Sequence, residues 1–231
     1  MELLKVIDIP LLEEVEYLFI LFYFQFMDYY SPLYQDCCYH IYNRGNNGEN
    51  LFYKHENYIY FLSQYNEYLN EYLDTFAYCL LPNHFHLLVR VKNFEDKKPE
   101  LKKGLKTLTE VEEIISELFR RLFTSYVKAI NKQESRTGSL FQKNFKRKQV
   151  KDEHYYSQLV YYIHANPQRH GIVDNFKDYP YSSYNSLLSE KPTKLLRSET
   201  IGWFGDREAF RIFHNESKHE SAINKWVIEE G

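Results

Sequence analysis

Apolar and polar positions along the chain switch between two periods, and the switches mark out an order of elements. Residues 36–44 alternate like a half-buried strand and run into the turn Asn43-Arg44-Gly45-Asn46-Asn47-Gly48. Between 54 and 73, Tyr58, Phe61, Leu62, Tyr65 and Leu69 recur at helical spacing. Residues 74–81 read as an aromatic and apolar strand, Pro82-Asn83 as a turn and residues 84–91 as a second strand, which together make a hairpin. A lysine-rich loop over 97–106 leads into a long helix over 109–131. Its apolar stripe is Val111, Ile114, Ile115, Leu118, Leu122 and Val127, and Thr137-Gly138 breaks it. Loop and strand are expected over 139–151, then a helix over 155–165 whose apolar positions include Leu159, Tyr162 and Ile163.

Strand, helix, strand, strand, helix, strand is the split βαβ order. The fold class expected is α+β: a ferredoxin-like antiparallel sheet with helices on one face, plus an additional C-terminal helix. Three regions follow: an N-terminal extension over 1–35, the core domain over 36–190 and a C-terminal extension over 191–231. Trp203, Phe204, Phe210 and Phe213 are expected to dock the last of these on the core. The apolar run Leu18-Phe19-Ile20-Leu21-Phe22-Tyr23-Phe24 falls short of the roughly 20 residues of a membrane span. It also lacks the basic start and small-residue cleavage site of a secretory signal, so it reads as a buried helix or strand. Met27 is an alternative natural start, with the first 26 residues as an extension.

An apolar content of 44% over 231 residues is enough for a sizeable core. Tyrosine is so common, at 22 residues, that each must be singled out by position rather than by type. The net charge of −3 does not suggest a nucleic-acid binder, but the charge is unevenly spread. Acidic residues gather near the start (Glu13, Glu14, Glu16) and in the tail (Glu216, Glu220, Glu229, Glu230). Basic ones gather at Lys143, Lys146, Arg147, Lys148 and Lys151. Such a stripe can follow a phosphate backbone, or it can simply be a solvated face. Cys37, Cys38 and Cys79 are odd in number and contain no CxxC pair, which argues against a disulfide framework or zinc knuckle and for a reducing, cytoplasmic compartment.

Two local patterns carry chemistry. In Leu81-Pro82-Asn83-His84-Phe85-His86-Leu87-Leu88-Val89, the two histidines are two apart on a strand, so both imidazoles point to one face and can share a cation. Phe85, Leu87 and Val89 point the other way, into a core. In Tyr161-Tyr162-Ile163-His164-Ala165-Asn166-Pro167, Tyr162 and Asn166 are four apart and lie on one helical face. Pro167 disfavours helical geometry at Asn166, and the helix is expected to end there. Each pattern has a plain alternative: an incidental histidine pair, and an aromatic on the buried side of a helix.

Five ordered blocks change that balance. They are Tyr39-His40-Ile41-Tyr42-Asn43-Arg44-Gly45, the histidine block above, Arg136-Thr137-Gly138-Ser139-Leu140-Phe141-Gln142, the stretch from Tyr162 through Asn166-Pro167-Gln168-Arg169-His170-Gly171 to Val173, and Asp178-Tyr179-Pro180-Tyr181-Ser182-Ser183-Tyr184. In these blocks, over roughly residues 36–190, the chain resembles the REP-associated tyrosine transposases, in the single-tyrosine branch of the HUH endonuclease superfamily. The resemblance implies that His84 and His86 hold a divalent metal, Mg²⁺ or Mn²⁺, with Asn166 as third ligand. It also implies that Tyr162 is the nucleophile; the rival Tyr161 has Ala165 at the ligand position. The activity implied is DNA transposition and recombination: cleavage of single-stranded DNA through a covalent 5′-phosphotyrosine. The substrate implied is hairpin-associated single-stranded DNA, with the protein nucleoid-associated when bound and a homodimer as a candidate assembly. Arg44, Lys143, Lys146, Arg147 and Lys148 are the candidate DNA contacts, with Tyr42 as a stacking platform. The rival readings are a domesticated DNA-binding protein with the same fold and no turnover, and a metal-dependent hydrolase that uses water.

Overall fold

The computed structural model describes residues 30–94, 110–152 and 155–216. The apolar run at 18–24, Met27, the lysine-rich loop and most of the acidic tail lie outside these residues. The elements most relevant to the site are β1 (Cys38–Arg44), α1 (His55–Leu69), β2 (Leu73–Leu81), β3 (His84–Val91), α2 (Val111–Gln133), β4 (Lys146–Val150) and α3 (Tyr156–Arg169). Three short helices follow: α4 (Tyr184–Leu188), α5 (Arg197–Gly202) and α6 (Arg207–Phe213). The sheet order is β2-β3-β1-β4 and every neighbouring pair is antiparallel, which is the ferredoxin-like arrangement.

Strand alternation gives the sheet two different faces. Tyr39, Ile41, Phe85, Leu87 and Val89 point to one side and pack against Phe61, Tyr65 and Leu69 of α1 and Ile115, Leu118, Phe119, Leu122 and Tyr126 of α2. Fully burying each such side chain is worth about 1.5–3 kcal/mol, so this layer fixes the register of β1 and β3. On the other face, Cys79, Leu81, Leu88 and Val150 pack against Leu159, Val160 and Ile163 of α3, together with Phe176, Leu187 and Phe210. The additional helix therefore covers the side of the sheet that α1 and α2 leave bare.

The C-terminal segment is built into this second layer. Leu195 bridges to Thr75 of β2, Trp203 packs against Phe76 with ring centres 4.6 Å apart, and Phe210 is fully buried. Arg90 ties α5 to the sheet by ion pairs to Glu199 and Asp74. Among the described residues no helix is long and apolar enough to cross a membrane.

One expectation fails. Helix α3 does not stop at Ala165 but runs through Pro167 to Arg169. Proline in a helix removes one hydrogen bond and crowds the preceding turn, at about 3 kcal/mol. Here the loss falls in the last turn, and the buried Leu159, Val160, Ile163 and Ala165 hold the helix against the sheet. The helix end is closed by His170 N–H on the Asn166 carbonyl (3.0 Å) and Ile172 N–H on the Pro167 carbonyl (2.8 Å).

Candidate active site

His84 and His86 open β3, and the loop after β1 clamps the turn before them. Gly45 N–H donates to the Asn83 carbonyl (2.8 Å), and Leu51 and Phe52 N–H both donate to the Pro82 carbonyl (2.6 and 2.9 Å). Gly45 is required for this close approach, because a Cβ there would overlap the Glu49 carbonyl oxygen. Across the ladder, His86 pairs with Tyr42 and His84 with Arg44, so β1 supplies the neighbours on one side.

Hydrogen bonding sets how each imidazole can act. Asn83 Oδ1 lies 2.7 Å from His84 Nδ1. An amide oxygen only accepts, so the ring proton sits on Nδ1 and Nε2 keeps its lone pair. His86 Nδ1 lies 3.0 Å from Nε2 of the fully buried His40. Burial pushes His86 well below the usual histidine range, with smaller contributions from His40, His84 and His170. Burial, with a lesser effect of Lys148, takes His40 down to about 3. Both rings are therefore neutral at physiological pH, and the neutral form is the one that binds cations.

Helix α3 lays Tyr162 against this pair. Its ring centre is 5.5 Å from that of His86 and 5.9 Å from that of His40, edge-on to both. One turn on, Asn166 Nδ2 donates to the Tyr162 carbonyl (2.9 Å), which directs the amide oxygen away from that bond. His86 Nε2 and Asn166 Oδ1 are both buried without a hydrogen-bond partner. An unsatisfied buried polar atom costs about 1–3 kcal/mol, so two of them on facing elements need an explanation. Asn166 Oδ1 offers a lone pair, and so does His86 Nε2 when the ring proton sits on Nδ1, so a cation fits the two. Among the described residues no three His, Cys, Asp or Glu side chains are grouped to hold a metal, so a cation at this place would need the Asn166 amide beside the histidines.

A cavity of about 280 Å³ opens in front of the histidines, lined by Tyr42, Arg44, Asn83, His84, His86 and His170 among others. Tyr162 is not in its lining and is fully buried behind it. The exposed Arg169 places its guanidinium carbon 5.7 Å from the Tyr162 ring centre. The rival Tyr161 faces away, toward Phe176, Phe213 and His214.

The basic candidates separate by face. Arg44 lines the cavity. Lys146 pairs with Tyr42 and lies 5.6 Å from its ring centre, and Lys148 pairs with His40, so both share the histidine face. Arg147 between them turns to the opposite face, where it is buried, ion-paired to Glu112 and bonded to the Ser31 carbonyl (2.8 Å). That guanidinium is committed to holding the fold and leaves the DNA-contact group. Lys143 sits in a groove with Phe123 and Lys128 on the α2 side, away from the histidines.

Sequence reasoning missed three neighbours of the site. His40 was recoverable in part, since it alternates with Tyr42 on β1, but its contact with His86 depends on the strand register. His170, with its ring 4.9 Å from that of His84, and Arg169 were hidden by ending the helix too early.

No family model matches the chain. The chain is 30% identical over 128 residues to the "Putative REP-associated tyrosine transposase" of Haemophilus influenzae, covering 54% of this chain and 67% of that protein. A solved REP-associated tyrosine transposase bound to a REP hairpin superposes with a TM-score of 0.53 at 16% identity, over 70% of this chain and 86% of that one. At that identity the likeness is one of fold.

Proposed function

The chain belongs to the REP-associated tyrosine transposases, and on that premise we propose that it is a metal-dependent single-stranded DNA endonuclease and strand transferase using Tyr162 as nucleophile. The observation that carries the proposal is the pair of buried polar atoms with no hydrogen-bond partner, His86 Nε2 and Asn166 Oδ1, on the two elements that meet at Tyr162. His84, His86 and Asn166 are the residues that would hold the ion, and imidazole with amide ligands suits Mn²⁺ somewhat better than Mg²⁺. When bound, the ion supplies Lewis acidity toward a phosphodiester and orients it for in-line attack.

The chain's own groups do the rest. The Tyr162 hydroxyl oxygen forms a bond to phosphorus as its proton passes to solvent, and the bond from phosphorus to the 3′ oxygen breaks. That oxygen takes up a proton and leaves as a 3′-hydroxyl, while the 5′-phosphate stays on tyrosine. The phosphotyrosine ester conserves the bond energy, so a second 3′-hydroxyl can reverse the step without a nucleotide cofactor. Arg44, Lys146 and Lys148 meet the backbone, and Tyr42 offers a stacking face. Tyr162 is buried, so a phosphate reaches it only after the side chain above it moves. The exposed Arg169, with its guanidinium carbon 5.7 Å from the Tyr162 ring centre, is one candidate for that movement. Hairpin-flanked single-stranded DNA is the proposed substrate, since the solved relative is bound to a REP hairpin.

The test is to incubate the protein with hairpin-flanked oligonucleotides and Mn²⁺ and look for a covalent adduct on a denaturing gel. The adduct is expected from the wild-type protein and lost in Tyr162→Phe. An adduct that survives this substitution rules out the nucleophile. Cleavage that survives it but not His84→Ala points to water as the attacking group. The burial of Tyr162 favours one second reading, a domesticated DNA-binding protein without turnover, which predicts salt-sensitive DNA binding and no adduct with any metal.

A further inference from the structure

His40 does not belong to the candidate ligand set, yet its Nε2 lies 3.0 Å from Nδ1 of His86. It lies in the middle of β1, opposite Leu88 on one side and Lys148 on the other, so its ring reaches His86 diagonally on the same sheet face. The two rings stack with centres 5.1 Å apart and planes 22° apart, and Tyr42 stacks on both. This leaves the His86 ring little freedom to rotate. The remaining contact is the bond between His86 Nδ1 and His40 Nε2.

That bond has two possible forms. One proton lies between the two nitrogens, so one ring donates there and the other accepts. If His40 Nε2 holds it, His86 must accept at Nδ1 and carry its own proton on Nε2, where no partner receives it. If His86 Nδ1 holds it, His86 Nε2 is a bare lone pair and His40 is the acceptor. The two forms differ in which ring carries its outer proton, His86 at Nε2 or His40 at Nδ1, and only the second can bind a cation at His86 Nε2.

We infer that His40 is a positioning residue for the metal site, holding His86 in the Nδ1–H tautomer with its Nε2 lone pair ready for a divalent cation. The inference rests on the proposed role of His84, His86 and Asn166 as ligands. Its chemical consequence is specific. The partner behind a metal-binding histidine is commonly a carboxylate or a backbone carbonyl. Here it is an imidazole, which orients the ring without adding negative charge. The ligands themselves are also neutral. A cation held by these residues would keep its full charge toward an anionic phosphodiester, and its affinity for the protein would rise when the phosphodiester is present.

Isothermal titration of Mn²⁺ into the full chain tests this, using the wild type, His40→Phe and His40→Gln, with circular dichroism to confirm that each is folded. Phenylalanine keeps the ring and removes the acceptor; the glutamine amide oxygen can restore an acceptor near the same place. Mn²⁺ affinity is expected to fall about 10–100-fold in the phenylalanine variant and to recover in part in the glutamine variant. Long-range ¹H–¹⁵N spectra of the metal-free wild type are expected to show His86 protonated on Nδ1. Equal Mn²⁺ affinity in wild type and His40→Phe, or His86 protonated on Nε2, overturns the inference while leaving the ligand assignment standing. A wild-type protein that binds no Mn²⁺ overturns the ligand assignment and this inference together.

Discussion

Asn166 combines two demands that only an amide meets. Its Nδ2 donates to the Tyr162 carbonyl, and its Oδ1 is left buried and acceptor-only. In Asn166→Asp the ligand oxygen remains, but the donor becomes a second oxygen facing a carbonyl, and the charge is buried. The metal-free variant is expected to lose about 2–3 kcal/mol of stability in urea unfolding, since a buried carboxylate has lost its partner. Saturating Mn²⁺ should then stabilise it more than it stabilises wild type, because the added negative charge strengthens binding. If Mn²⁺ stabilises both equally, Asn166 is not a ligand. The basic side chains yield a second prediction at this scale. Lys146 and Lys148 share the histidine face, whereas Arg147 is turned under the sheet to Glu112. Each phosphate contact contributes roughly −0.7 to the slope of log affinity against log salt for single strands. Lys146→Ala and Lys148→Ala should each flatten that slope by about this amount in fluorescence anisotropy. Arg147→Ala should leave the slope alone and lower the unfolding free energy instead. A slope change in Arg147→Ala would mean that the strand face is wrongly assigned.

At the level of elements, helix α3 is positioned from behind as well as from the sheet. His214 Nδ1 donates to the Phe210 carbonyl (2.8 Å), so its Nε2 accepts from His164 Nδ1 (3.0 Å). His164 Nε2 in turn accepts from Ser183 Oγ (2.8 Å), and Ser183 Oγ accepts from Tyr78 N–H (2.9 Å). Every donor in this buried chain has an acceptor, and it links α6, α3 and β2 through one path. His214→Phe fits the surrounding aromatic cluster of Phe204, Phe210 and Tyr184 but leaves the His164 N–H unmet. It is expected to cost about 1–3 kcal/mol in urea unfolding, and a loss below roughly 0.5 kcal/mol would show that the chain does not hold the helix. None of this linkage was readable in the amino-acid order. The strands, the hairpin and the pairing of His84 with His86 were, because they follow from period-2 alternation and a Pro-Asn turn. His40 beside His86 needs a cross-strand register, and His164 beside His214 needs a contact across 50 residues of chain. Pro167 misled because a local backbone preference, worth about 3 kcal/mol, was weighed without the packing that opposes it.

Across the whole molecule, the buried histidines make stability depend on pH in a window of their own. Burial is the first cause of the downward shift in His40, His86 and His164, and neighbouring basic or imidazole groups add to it. The sign follows from proton counting. An unfolded histidine takes up a proton near pH ~6.5, whereas these rings stay neutral in the native protein, so below that pH the unfolded state binds more protons. Stability is therefore complete above about pH 6.5 and declines as pH falls toward the folded-state values, at up to about 1.4 kcal/mol per pH unit for each ring. For His40, whose folded value is about 3, the decline continues through the acid range. Carboxylates enter later: Glu117, held down to about 2 chiefly by its bond to Arg120, contributes stability that is lost only as pH drops below the ordinary carboxylate range. Between pH 6.5 and 5 the slope thus belongs to the histidines. Three rings together reach about 4 kcal/mol per unit, enough to consume a typical domain stability of about 5–15 kcal/mol within a few pH units. Urea unfolding in EDTA at pH 7.5, 6.0 and 5.0 should show this loss, and His40→Phe should reduce the slope by about one ring's share, 1.4 kcal/mol per unit. A flat profile from pH 7.5 to 5.0 would mean that water reaches these rings in solution, and that the site is more open than its buried geometry describes.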